Sequence, residues 1–189
     1  GNPYNVLSTL YVGQKMGDIW GYETLSLFQS PEEIQGAPSQ RKINSGVWYP
    51  GDVRYKDLNN DGEISPGPNT LADPGDRKII GNSTPRYQFG ISMNSSWKNF
   101  DFNLFFQGVG KRDFWTNDKF YWGQMLLDGV GTWNSYKNSW TKENTDAFFP
   151  GYRYFTGNNQ VQTRYLQNAG YIRLKSLALG FSLPGNITN

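Results

Sequence analysis

Neither cysteine nor histidine occurs among the 189 residues. Without cysteine no disulfide framework exists, and the redox compartment leaves no trace in the chain. Without histidine the commonest general base is missing, with the usual zinc ligand and every Ser-His or Cys-His nucleophile pair. Charge is scarce and balanced: 18 Lys and Arg against 16 Asp and Glu give a net charge of +2. No basic field therefore marks a nucleic-acid surface, and no polybasic run marks an anionic membrane. No apolar run approaches the length of a membrane helix, and Gly1-Asn2-Pro3-Tyr4 lacks the basic start and apolar core of a secretion signal. The chain stops straight after an apolar strand pattern ending at Leu183, and so reads as a piece of something longer. What it has in quantity is aromatic side chains (16%) and glycine (22 residues). That mixture points to β structure with long ordered loops, not to a helical bundle.

The strongest periodicity lies in two runs, 86–97 and 100–110. Tyr87, Phe89, Ile91, Met93 and Trp97 share one parity, and Phe100, Phe102, Leu104 and Phe106 share one parity in the second run. Only Lys98 and Asn99 separate the runs. A two-residue hairpin is therefore expected, with Asn99 taking the positive φ and Trp97 facing Phe100, Met93 facing Leu104 and Ile91 facing Phe106. The other parity, with Gln88, Gly90, Ser92, Asn94, Ser96, Asp101, Asn103 and Gln107, is almost entirely polar, Phe105 being the large apolar exception. A further strand is expected over 164–183, where Ile172 and Leu174 have one parity and Leu177, Leu179 and Phe181 the other. A bulge near Lys175-Ser176 would bring both sets onto one face. A weaker strand pattern covers 4–12. Each long run has about the ~9–11 residues that a tilted membrane strand needs. Two readings stay open for the hairpin: the apolar face packs on a second sheet in a soluble sandwich, or it meets lipid in an outer-membrane barrel while the polar face lines the lumen.

Between the strands lie two long stretches, 13–85 and 111–163, far beyond the usual ~4–6-residue connection. Short turns at one end and long loops at the other is the asymmetry of an outer-membrane barrel. Within the first stretch, Ser30-Pro31-Glu32-Glu33 reads as a capped helix start. The second is crowded with rings. Trp115, Tyr121, Trp122, Trp133 and Trp140 are candidate platforms for a substrate or partner, against the plainer reading that such rings form the private core of a large loop.

Asp57, Asn59 and Asp61 stand at the first, third and fifth positions of a calcium-type loop, with Gly62 sixth, where the chain bends sharply. Glu63 would offer its carbonyl and Ser65 a water-mediated contact. Pro68 occupies the position of the usual closing acid, which leaves Asp76 to close a Ca2+ shell, with Asp73 as competitor. The same Asn-Asn-Asp-Gly run also makes a tight turn with no ion.

Several segments carry a resemblance in their order. They include Gly21-Tyr22-Glu23-Thr24 before Phe28-Gln29-Ser30-Pro31-Glu32-Glu33-Ile34, Pro50-Gly51-Asp52-Val53-Arg54-Tyr55-Lys56-Asp57, and Ile79-Ile80-Gly81-Asn82. Further along come Phe105-Phe106-Gln107-Gly108 and Tyr171-Ile172-Arg173-Leu174-Lys175 leading to Leu179-Gly180-Phe181. Together they resemble the late, C-terminal portion of the SusC/RagA family of TonB-dependent outer-membrane transporters, over nearly the whole chain. The path from Ser65 to the Asp76-Arg77 pair is longer than is usual in that family. The resemblance implies a mainly β chain: antiparallel strands of a partial transmembrane β-barrel, with long extracellular loops containing short helices. It implies an importer of glycan or oligopeptide, located in the outer membrane, driven by the TonB system through parts absent here and working with a SusD-like lipoprotein, with no catalysis. The alternative is a free-standing calcium-dependent carbohydrate-binding β domain. A glycoside hydrolase using paired acids is weaker still, because no motif places two acids together outside the cation loop.

Overall fold

The structure, a computed structural model that describes residues 6–122 and 131–183, divides into two units. Residues up to Asn82 join Trp115–Gln167 in the first, and Ser83–Phe114 joins the stretch from Asn168 in the second.

The first unit is made almost wholly of what the sequence presents as loops. β1 (Asp18–Tyr22) pairs antiparallel with β4 (Arg77–Asn82), and β2 (Thr24–Leu27) pairs antiparallel with β3 (Val53–Tyr55). Between β2 and β3, α1 (Pro31–Gln35) begins where its residues dictate. The Ser30 hydroxyl accepts the Glu33 N–H at 3.3 Å, and proline opens the first turn. Glu33 reaches back to the Gln29 N–H at 2.7 Å, one residue before the cap. The aromatic stretch supplies α2 (Lys119–Trp122), α3 (Trp133–Lys137, capped by Thr132) and a 3-10 turn at Thr156–Asn159.

Both stretches contribute to one apolar core. Tyr22, Phe28, Trp48, Val53 and Tyr55 from the first pack with Trp122, Phe149 and Phe155 from the second, and with Tyr165 just beyond it. The rings meet edge to face: Trp48 lies 4.8 Å from Phe155 at 87°, and Trp122 lies 5.1 Å from Tyr165 at 86°. Most of the ranges 13–85 and 111–163, namely 13–82 and 115–163, thus falls in one folded unit. The strand expected over 4–12 is not formed in its described part: residues 7–9 are turn and bend, and Val6 makes only an isolated bridge to Thr70. Among the described residues the 69–70 backbone meets it at Val6 and Leu7, which is too short a contact for a ladder. Tyr4 and Asn5 fall outside the described residues.

The second unit is a three-stranded antiparallel sheet in the order β5 (Arg86–Trp97), β6 (Phe100–Lys111), β9 (Tyr171–Phe181). The two-residue strands β7 (Asp113–Phe114) and β8 (Gln167–Asn168) fall where the chain passes from one unit to the other. The hairpin has the expected register, with Trp97 opposite Phe100, Met93 opposite Leu104 and Ile91 opposite Phe106. Its turn differs in one respect: Lys98, not Asn99, takes the positive φ of 54°. That places the left-handed residue first in the turn, where the strand twist asks for it, and the Lys98 ammonium settles 4.9 Å over the Trp97 ring. The third strand is shorter than 164–183, beginning only at Tyr171, because Arg164 and Tyr165 are held in the first unit: Arg164 donates to the Ala147 and Phe148 carbonyls.

Candidate functional site: a two-faced sheet and a loop-built body

In β9 the pairing with β6 slips by one residue between Phe105 and Phe106, which leaves Lys175 as the extra residue. The slip has a clear consequence. Phe106 faces Leu174, Leu104 faces Leu177, Phe102 faces Leu179 and Phe100 faces Phe181. With the β5 partners these form continuous rows across the sheet: Ile91–Phe106–Leu174, Met93–Leu104–Leu177 and Trp97–Phe100–Phe181. Without the bulge the last half of β9 would point its leucines to the other side. The rows are open: Leu179 is 73% exposed and Ile172 61%. At the hairpin end Trp97, Phe100 and Phe181 gather, with Phe100 and Phe181 4.8 Å apart.

The reverse face carries Ser92, Asn94, Ser96, Asp101, Asn103 and Gln107, with Arg173 opposite Gln107 and Gly180 opposite Asp101. Phe105 interrupts it, lying against Gly90, where a Cβ would approach the ring to 3.0 Å, and Val109 opposite Tyr171 ends it. β5 and β6 have 12 residues each. At ~3.3 Å per residue and a ~40° tilt such a strand spans ~28 Å, which covers the ~25 Å apolar band of a membrane barrel. Among the described residues no helix is long and apolar enough to cross a membrane.

In the first unit a buried polar network holds the two halves together. Asp52 is fully buried; its carboxylate accepts the Tyr49 N–H at 2.7 Å and the Asn158 amide at 2.8 Å, and it takes both ends of the Arg153 guanidinium, with Nε at 3.1 Å and Nη2 on the other oxygen. Arg153 in turn lies 4.1 Å over Phe155 and 4.9 Å over Tyr49. The Gln40 side chain acts as a neighbouring strand would, donating its amide N–H to the Val53 carbonyl at 2.9 Å and accepting the Tyr55 N–H at 2.7 Å. Sequence spacing points to none of Asp52, Arg153, Asn158 and Gln40; only the Pro50-Gly51-Asp52 turn signature touches the group.

The expected cation ligands are not assembled as one shell. Asp57 accepts the Asn60 and Gly62 N–H groups at 2.6 and 2.9 Å, and Asp61 accepts the Glu63 N–H at 2.8 Å and the Asn59 amide at 2.9 Å. The Glu63 carboxylate is paired with Lys42. Asp76, fully buried, takes the Leu58 N–H at 2.8 Å on one oxygen and the Ser65 N–H at 2.7 Å on the other. Among the described residues no three acidic side chains converge where an ion could sit. The turn closes through its own N–H groups, and Asp76 pins both ends of the loop. Backbone donation and the Asn59 amide hold the Asp61 carboxyl below its ordinary range.

The five candidate rings divide sharply. Trp122 is 1% exposed, and Trp115, Tyr121 and Trp140 pack against the same core. Tyr121 stands 5.0 Å from Trp122, and Trp140 donates its indole N–H to Gln29 at 3.0 Å. Trp133 is the outlier at 69% exposed, with Tyr136 stacked on it at 5.6 Å and Lys137 5.1 Å over its ring. Four of the five thus pack on the core, and Trp133 stands exposed.

No protein-family model matches the chain. It is 33% identical over 177 residues to the TonB-dependent receptor P3 of Formosa agariphila, an alignment covering 91% of this chain and 16% of that protein. Its fold is similar to a chain of the RagAB peptide importer in the 'open-open' state, with a TM-score of 0.59 at 18% identity, covering 96% of this chain and 19% of that one. The chain thus spans less than a fifth of the length of either relative. The 33% identity extends over 91% of the chain, and on it the chain belongs to the TonB-dependent receptors, as one stretch of such a protein.

Proposed function

We propose that this chain is part of an outer-membrane importer whose barrel wall includes β5, β6 and β9. The observation that carries the reading is the alignment of apolar rows across all three strands, kept in register by the Lys175 bulge. In this reading the rows meet acyl chains, the Trp97–Phe100–Phe181 cluster sits at headgroup level, and the Asn94–Asn103 side borders the conduit. The first unit is then an extracellular body that contacts cargo or a SusD-like lipoprotein, with Trp133 as its free ring. Energy from the TonB system would arrive through parts of the protein outside this chain. The cargo is a glycan or an oligopeptide; RagAB is named a peptide importer, and at 18% identity that likeness supports the fold and not the cargo. No catalytic role is assigned: both relatives are named for reception or import. The calcium-dependent carbohydrate-binding alternative is not favoured, since the acids are engaged elsewhere and most of the candidate rings pack on the core.

Spin labels placed singly at residues 91 to 96 of the intact receptor in lipid bilayers test the wall. Oxygen accessibility should peak at Ile91, Met93 and Ser95, and accessibility to a water-soluble nickel reagent at Ser92, Asn94 and Ser96. A flat profile, or one with both reagents excluded from the apolar side, contradicts the barrel.

A further inference from the structure

A cavity of about 450 Å³ opens in the first unit, formed entirely by the segment from Phe28 to Trp48. This volume lies within the ~300–1,000 Å³ typical of small-ligand sites. Its apolar side is built by Phe28, Ile34, Ala37 and Trp48. The floor is fixed in place, since Gln40 is tied to the backbone of β3 at both ends and Trp48 is wedged against Phe155 and Tyr55. Arg41 supplies the cavity's positive charge. Its neighbour Lys42 is neutralised by Glu63, whereas the exposed Arg41 guanidinium has neither an ion pair nor a hydrogen bond among the described residues. The Trp48 side chain adds a buried indole N–H that likewise has no acceptor. A group left in that state carries its desolvation cost uncompensated until an acceptor reaches it.

We propose that this cavity binds the carboxyl-terminal residue of a peptide, its apolar side chain on the Phe28–Ile34–Ala37 wall and its carboxylate on Arg41. A guanidinium matches a carboxylate with two parallel hydrogen bonds, which an ammonium cannot do. A sugar suits the cavity poorly: its two aromatic residues, Phe28 and Trp48, are buried, leaving no open ring face for a pyranose to stack on. The proposal deepens the import reading by naming a cargo class, and it rests on that reading only for its purpose, not for its chemistry.

The test is equilibrium binding of a fluorescein-labelled Gly-Gly-Gly-Ala-Leu peptide to the intact receptor in detergent, as free acid and as C-terminal amide. The free acid should bind at least about tenfold more tightly than the amide, the ratio set by one charge-assisted pair. Arg41→Gln should abolish that ratio by weakening the acid alone. Ala37→Trp, which fills the cavity, should weaken both forms. Equal binding of acid and amide to the unmodified receptor, no binding of either, or a preference that survives Arg41→Gln overturns the proposal. These outcomes are separable from failure of the import reading, because the spin-label profile of the sheet is read on β5 and does not involve the cavity.

Discussion

Asp52 concentrates the energetics of the first unit in one side chain. It is buried, accepts four hydrogen bonds from three residues, and is separated from Arg153 by 101 positions in sequence. Removing one partner of a buried ion pair costs ~3–5 kcal/mol when the other stays buried. Arg153 is 30% exposed and can recover part of its hydration, so Asp52→Ala is expected to cost nearer ~2–3 kcal/mol. The Phe28 amide, bonded to the Asp52 carbonyl at 2.8 Å, and the Val53 amide, bonded to Asn158 at 2.9 Å, report it directly. Their hydrogen exchange in the intact receptor should accelerate roughly 30- to 150-fold. Acceleration below about threefold would show that the network is not what joins the two halves. The same arithmetic explains why this site escapes a reading of the sequence. An isolated Asp after Pro-Gly looks like a turn residue, and nothing local says that an arginine a hundred positions later closes on it.

At the scale of the element, what the chain displays by itself is period. The hairpin register, the helix start at Ser30-Pro31 and the bulge near Lys175 all follow from patterns within a dozen residues, and all three are found where those patterns place them. The 4–12 segment has a similar pattern and no strand in its described part, because alternation states a preference while a ladder needs a partner. Lys98 taking the positive φ in place of Asn99 is a smaller instance: turn handedness is set by strand twist, which no single residue encodes. The bulge offers a sharp test. Deleting Lys175 forces Leu177, Leu179 and Phe181 onto the side of Asp101 and Asn103, a complete inversion of the strand's second half. The full-length receptor lacking Lys175 should fail to reach the outer membrane in heat-modifiable form, whereas Lys175→Ser, which keeps the extra residue, should assemble normally. Normal assembly of the deletion would mean that the register is set by something other than the apolar rows.

At the scale of the whole molecule the two units answer to different physics, and that decides what could be foreseen in each. The sheet of the second unit is a local code repeated three times. The first unit is a global solution, in which strands of three to six residues, three short helices and eleven aromatic residues become ordered only by packing on one another. Its core has a built-in sensitivity to alkali. Burial pushes the Tyr22 hydroxyl up to about 12, despite a lowering contribution from Arg77, and burial raises Tyr55 and Tyr165 as well. In the unfolded chain these phenols ionise near ~10. Above that pH the unfolded state binds fewer protons than the folded one, so stability is at its full value below about pH 10 and falls as pH climbs toward the folded values. The thermal midpoint of the first unit, followed by tryptophan fluorescence in the intact receptor, should therefore drop steadily from about pH 10 to about pH 11.5. Tyr22→Phe removes one of the ionisable groups, and its midpoint should decline less steeply over the same range even if it starts lower. A midpoint that holds level across that range would mean that the buried phenols reach water in the folded state, and that the core joining the two loop segments is looser than its packing describes.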